Sequence, residues 1–160
     1  TAKEKGFTEP DPRDDLDGMD VARKCLILAR EIGFNMELDD IQVESLLPQN
    51  SEQCKSFDEF LYLLKNHDHI YFMRFKKAEE LNKKLRYIGT VLKSGVQVKL
   101  DTIARDHPFY ELKGSENIIS ITTNRYFDQP LIIKGHGAGA AVTAGGVMAD
   151  IMSIVGEKHE

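Results

Sequence analysis

The chain has 160 residues, about one domain's worth of sequence and enough to bury a sizeable core. An apolar content of 41% with 29% charged residues excludes a disordered or collagen-like chain. A net charge of -5 and a pI near 5.6 argue against non-specific nucleic-acid binding, because a phosphate backbone would be repelled on average.

Cys25 and Cys54 have neither CxxC spacing nor a His-rich companion, so neither a disulfide framework nor a structural zinc site is indicated. A reducing, cytoplasmic setting is expected. No uncharged run approaches the roughly 20 residues that span a bilayer, and no charged leader with a cleavage site opens the chain, so no membrane partner is expected. The opening Thr1-Ala2-Lys3-Glu4-Lys5-Gly6 is patterned like the last turn of a helix, which points to a longer parent.

Pro10 and Pro12 fix φ and push their preceding residues into extended backbone, so residues 7–17 are expected to be non-helical. Asp17 is a good N-cap, and Ala22, Cys25, Leu26, Ala29 and Ile32 recur at helical spacing until Gly33, which predicts a helix over 18–32. Ile41 to Leu46 alternates as a strand before Pro48. Ser56 followed by Glu59 is a capping-box pattern for a short helix through Leu64, and a second, charged helix is expected over 68–84. His67 and His69 fall in the loop-like stretch between them, where surface histidines are favoured over a metal site. Residues 85–92 and 96–103 form the clearest hairpin, around Lys93-Ser94-Gly95. Asp106-His107-Pro108-Phe109 reads as a turn with a buried Phe, and Gly114-Ser115-Glu116-Asn117 as another turn. Strands over 118–123 and 130–134 lead into a glycine-rich loop and a last helix ending near Val155. The expected fold class is α+β, a mixed β-sheet with helices packed on one face. Its body spans 1–134, and 135–160 forms the glycine-rich loop and C-terminal helix.

Chemistry concentrates in three places. The segment from Thr8 to Asp20 packs Glu9, Asp11, Asp14, Asp15, Asp17 and Asp20 around a single Arg13, a density that costs repulsion unless cations or donors answer it. A calcium loop is excluded, since placing Gly18 at loop position 6 puts Arg13 and Lys24 where carboxylates are required. Either a solvated acidic turn or a proline-stiffened loop presenting carboxylates to an amine fits. Asp20 and Lys24, spaced i,i+4, share the helix face opposite the Ala22/Cys25/Ala29 stripe, and Ile27 lies on the same face. This is either a surface ion pair or a lysine poised in a cleft to pass a proton to a developing alkoxide. Third, Gly135, Gly137 and Ala140 match G-x-G-x-x-A, yet no second strand with an acidic end follows, so this is not a Rossmann first turn. Close backbone approach to a ligand and plain packing of small residues both remain open. The helix that follows has no charge before Asp150 and is expected to be buried on most sides.

Gly6-Phe7-Thr8-Glu9-Pro10-Asp11-Pro12-Arg13-Asp14-Asp15-Leu16, Gly18 and Asp20-Val21-Ala22-Arg23-Lys24 strongly resemble the signature of homoserine dehydrogenases. The similarity continues through Asp106-His107-Pro108-Phe109, Leu112, Gly114-Ser115, Asn117, Gly137-Ala138-Gly139-Ala140, Val142-Thr143-Ala144 and Gly146-Val147. The resemblance is to the catalytic and dimerisation portion, with the N-terminal Rossmann domain absent from this chain and the loop and helix at 135–160 expected to pack on that nucleotide-binding domain. It implies NAD- or NADP-dependent interconversion of L-homoserine and L-aspartate 4-semialdehyde, on the route to threonine and methionine, by a two-fold homodimer formed through the sheet. It further implies that Glu9 holds the substrate amino group, Asp15 contacts substrate, Asp20 and Lys24 form the catalytic pair, and Gly139 contacts the cofactor. On this reading the 160 residues alone fold without turning over. The alternative is a non-catalytic ligand-binding or dimerising α+β module.

Overall fold

A computed structural model describes residues 11–156 apart from Ser115 and Ala138, and the chain divides into two compact units, Thr1–Ala104 and Arg105–Glu160. The first unit is built on α2, Met19–Glu31, whose buried stripe is Ala22, Cys25 and Ala29. These small side chains let the helix lie close against an antiparallel pair, β2 (Lys84–Leu92) and β3 (Gly95–Ile103), in which Gly89 faces Val98 and Val91 faces Val96. Alternation puts Tyr87, Gly89, Val91, Val96 and Val98 on the side of α2, and Arg86, Thr90, Gln97, Lys99 and Asp101 on the other. Gly89 is dictated by this packing, because a Cβ there would collide with the Cys25 sulfur. The other edge of β3 carries β1, Gln42–Val43, in parallel, so the mixed sheet has the order β1-β3-β2.

Four expectations for this unit need correction. Residues 13–16 are helical: Arg13–Leu16 forms a one-turn α1, because Pro12 already has a helical φ of -64° and the Asp11 carboxylate accepts from the Arg13 amide at 3.0 Å. The strand expected over 41–46 shrinks to two paired residues; the Glu44 amide still donates to the Val98 carbonyl at 2.8 Å, but the Glu44 carbonyl is taken by the Tyr87 hydroxyl. The two helices expected around 56–84 are one, α3, Phe57–Glu80. Ser56 caps it through the Glu59 amide, and no Gly or Pro interrupts it. His67 and His69 therefore lie on a helix, and His67 Nδ1 is 2.9 Å from the Leu63 carbonyl.

In the second unit β4 (Glu116–Ile121) pairs antiparallel with β5 (Leu131–His136), and α4 spans Ala140–Gly156. The single sheet expected from the sequence is thus two sheets, since β4 finds its whole ladder locally in β5. Phe109 is half-buried rather than buried and meets His107 edge-on at 4.6 Å. No residue of α4 is buried within this chain, although its composition calls for burial on most sides. The outcome is α+β, as expected.

Candidate active site

The acidic segment folds into a wall of a cleft of about 520 Å³, lined by Asp14, Asp15, Asp17, Gly18, Asp20, Val21, Arg23 and Tyr87. The segment is fastened from behind. Arg13 grips both carboxylate oxygens of Asp11 and donates to the Cys54 carbonyl at 3.0 Å and the Ser51 carbonyl at 3.4 Å. The Leu46 amide adds a bond to the Leu16 carbonyl at 2.8 Å. Arg13 therefore neutralises Asp11 and ties the loop down, leaving Asp14 and Asp15 exposed on the cleft. The side-chain and backbone bonds from Arg13 hold the Asp11 carboxyl below its ordinary range.

The loop ends where Asp17 Oδ1 accepts from the Met19 amide at 2.8 Å and Gly18 takes φ +83° to start α2. The formal N-cap is thus Gly18 rather than Asp17, although the Asp17 side chain does the expected work one residue along. From the first turn Asp20 faces the cleft, and Lys24 Nζ bonds to Asp20 Oδ2 at 2.7 Å. The pair stands on the exposed side of the helix, with Ile27 beside it 60% exposed. A primary ammonium held by a carboxylate at a cleft edge can be kept aimed at a ligand oxygen and can pass it a proton.

In the first unit the structure thus places Asp15 and Asp20 on one cleft, with Lys24 joined to it through its bond to Asp20. Glu9 lies outside the described residues. Gly139 belongs to the second unit, where it takes φ +132° just before α4 and its carbonyl accepts from the Thr143 amide at 3.0 Å. Sequence reasoning missed Tyr87 and Arg23 as cleft residues. The lone arginine inside the acidic run was the available sign of the clamp, whereas nothing local to residue 87 announces its contact with Gly18. Among the described residues no group of three or more His, Cys, Asp and Glu side chains could hold a metal ion, and no helix is long and apolar enough to cross a membrane.

Known proteins give the same direction. The profile of the homoserine dehydrogenase family matches residues 1–152. A maize protein named bifunctional aspartokinase/homoserine dehydrogenase 1, chloroplastic, is 54% identical over 156 residues, covering 96% of this chain and 17% of that protein. A Saccharomyces cerevisiae homoserine dehydrogenase is 48% identical over 156 residues, covering 96% of this chain and 43% of its own length. The crystal structure of a Candida auris protein described as of unknown function superposes with a TM-score of 0.88 at 49% identity, over 96% of this chain and 43% of that one. The chain thus spans less than half of each of these relatives, and it belongs to the homoserine dehydrogenase family.

Proposed function

We propose that this chain carries the substrate half of a nicotinamide-dependent homoserine dehydrogenase, interconverting L-homoserine and L-aspartate 4-semialdehyde in amino-acid biosynthesis. The observation that carries the reading is the Lys24–Asp20 pair at 2.7 Å on the rim of a cleft lined by Asp14, Asp15, Asp17 and Asp20. An amino acid presents an ammonium to such a wall; Glu9 is assigned to that ammonium and Asp15 to contact with the substrate. Lys24 delivers a proton to the aldehyde oxygen as the carbonyl carbon is reduced, and takes it back in the reverse direction, while Asp20 keeps the ammonium aimed.

A nicotinamide cofactor supplies or accepts the hydride. The residues at the start of α4 fit its approach. Gly139 has a φ that favours glycine and open space where a side chain would stand, and it precedes a 17-residue helix, whose N-terminal amides lack partners within the helix. Gly139 would contact the cofactor, NAD or NADP, most of which the nucleotide-binding domain of such enzymes would hold, while 1–134 holds substrate and builds a homodimer. One side of β4–β5 supports the dimer: register places Ile119, Ile121, Leu131 and Ile133 together, and all four are exposed. Two-fold dimers are the commonest oligomers. Sedimentation at micromolar concentration should find a dimer, and a monomer would remove that part of the reading. No nucleic-acid or membrane partner is proposed. Both cysteines are free, which fits a reducing compartment such as the cytoplasm, and the chloroplast named for the maize relative fits equally.

The test is Lys24→Ala in the complete enzyme. Folding should survive, since the side chain is 56% exposed, and kcat for homoserine should fall about 10²–10⁴-fold. A folded variant with parental kcat would take Lys24 out of the mechanism.

A further inference from the structure

We propose that Tyr87 is a positioning residue of this site, its ring seating Gly18 and thereby fixing the start of α2 from which Asp20 and Lys24 project. The inference rests on the reading of the acidic cleft as the active site. Tyr87 stands in β2 on the side of α2 and lines the cleft. Its far end is anchored, because the hydroxyl donates to the Glu44 carbonyl at 2.7 Å. Glu44 is itself held on three further sides. Its amide donates to the Val98 carbonyl at 2.8 Å, one carboxylate oxygen takes Arg74 of α3 at 2.7 Å, and the other takes the Leu100 amide at 3.2 Å. Tyr87 is therefore pinned to β1, β3 and α3 together.

Gly18 lies against this fixed ring. A Cβ at Gly18 would collide with the Tyr87 hydroxyl and come within 2.9 Å of the Val43 side chain, so the backbone occupies the space a side chain would need. The Gly18 carbonyl accepts the first α2 bond, from the Ala22 amide at 3.0 Å. Asp20 follows two residues later and Lys24 one turn after that. Any shift of the ring is passed to both, and a misplacement of about 1 Å can cost about 10²-fold in rate. Tyr87 is not itself the proton carrier, since its hydroxyl proton is committed to Glu44, and burial together with the Glu44 and Asp17 charges raises its ionisation above the ordinary range.

In the complete enzyme, Tyr87→Leu is expected to lower kcat about ten- to hundred-fold, and Tyr87→Phe, which keeps the ring but loses the hydroxyl that meets Gly18 and anchors on Glu44, should show a smaller part of that loss. A structural weakness would multiply into any background. A positioning role should instead vanish when its target is gone, so Tyr87→Leu should cost less than about two-fold more in Lys24→Ala. Should the leucine variant not fold, Tyr87→Phe carries the test, with a smaller loss that should collapse in the same way in Lys24→Ala. Amide exchange at Met19 to Lys24 should also quicken in Tyr87→Leu. That readout needs no turnover, so a parent inactive on homoserine would sink the functional reading and leave this one measurable. Parental kcat in Tyr87→Leu, equal losses in both backgrounds, or unchanged exchange at Met19 to Lys24 would each overturn it.

Discussion

The helices α2 and α4 reverse the usual relation between composition and burial. Helix α2 carries Asp20, Arg23, Lys24, Arg30 and Glu31, yet buries Ala22, Cys25 and Ala29. Helix α4 carries one charge, Asp150, yet buries nothing, and Met148, Met152 and Ile154 are each about 60% exposed. What separates them is spacing: the apolar positions of α2 define one stripe matched to a sheet that has a glycine in the right place, whereas α4 has no preferred side. Apolar content says how much surface a helix would gain by burying, and periodicity says which neighbour it was shaped for.

Hydrogen exchange offers the strongest way to break this contrast. The amides of Val96 and Val98 sit in the central strand and should exchange only through global opening, at least about a thousandfold more slowly than those of α4. Comparable protection of α4 in a monomer would mean that it packs on this chain after all. Truncation tests the same point in energy. Phe60, 1% exposed, should cost about 3–5 kcal/mol as Phe60→Ala, while Ile151→Ala, at a position 49% exposed, should stay within about 0.5 kcal/mol by urea melts.

The smallest effect sharpens the contrast by showing where the units agree. Asp11 is held low by Arg13, and Glu116 is held low by the Lys113 amide and by Lys134. A depressed carboxylate contributes fully above its ordinary value, near 4, and loses that contribution as the pH falls through its folded value. Acidification through that range should loosen Arg13–Leu16 and the outer end of β4–β5 together, as read from amide shifts. Loosening of only one would dissociate them.

Elements with strong internal periodicity were readable from the residues: α2, the β2–β3 hairpin and both later strands all lie where alternation or helical spacing puts them. The failures have separate physical causes. His67-Asp68-His69 falls in a loop-like stretch between two helical patterns, yet polar residues are tolerated on the open side of a long helix capped by Ser56. Residues 13–16 are expected to be non-helical because of the two prolines before them, although Pro12 supplies a helical φ at the start of the turn. The Asp20–Lys24 pair was visible as an i,i+4 spacing on the outward side of α2. Tyr87 was not, because its contact with Gly18 joins positions 69 residues apart in the chain, and no local pattern encodes it.

The approach of Gly89 to Cys25 ties two distant positions into one unit of inheritance. An alanine at 89 would drive its methyl into the Cys25 sulfur, and overpacking of this kind costs about 1–3 kcal/mol. The Cys25 Cβ itself would be an ordinary neighbour at 3.8 Å. Alanine at 89 is therefore eased when residue 25 loses its sulfur, with Val21 Cγ1 at 3.2 Å still having to give slightly, and that order of substitution is the milder one. Among relatives that keep this helix-on-sheet spacing, a side chain at 89 should be accompanied by a smaller residue at 25.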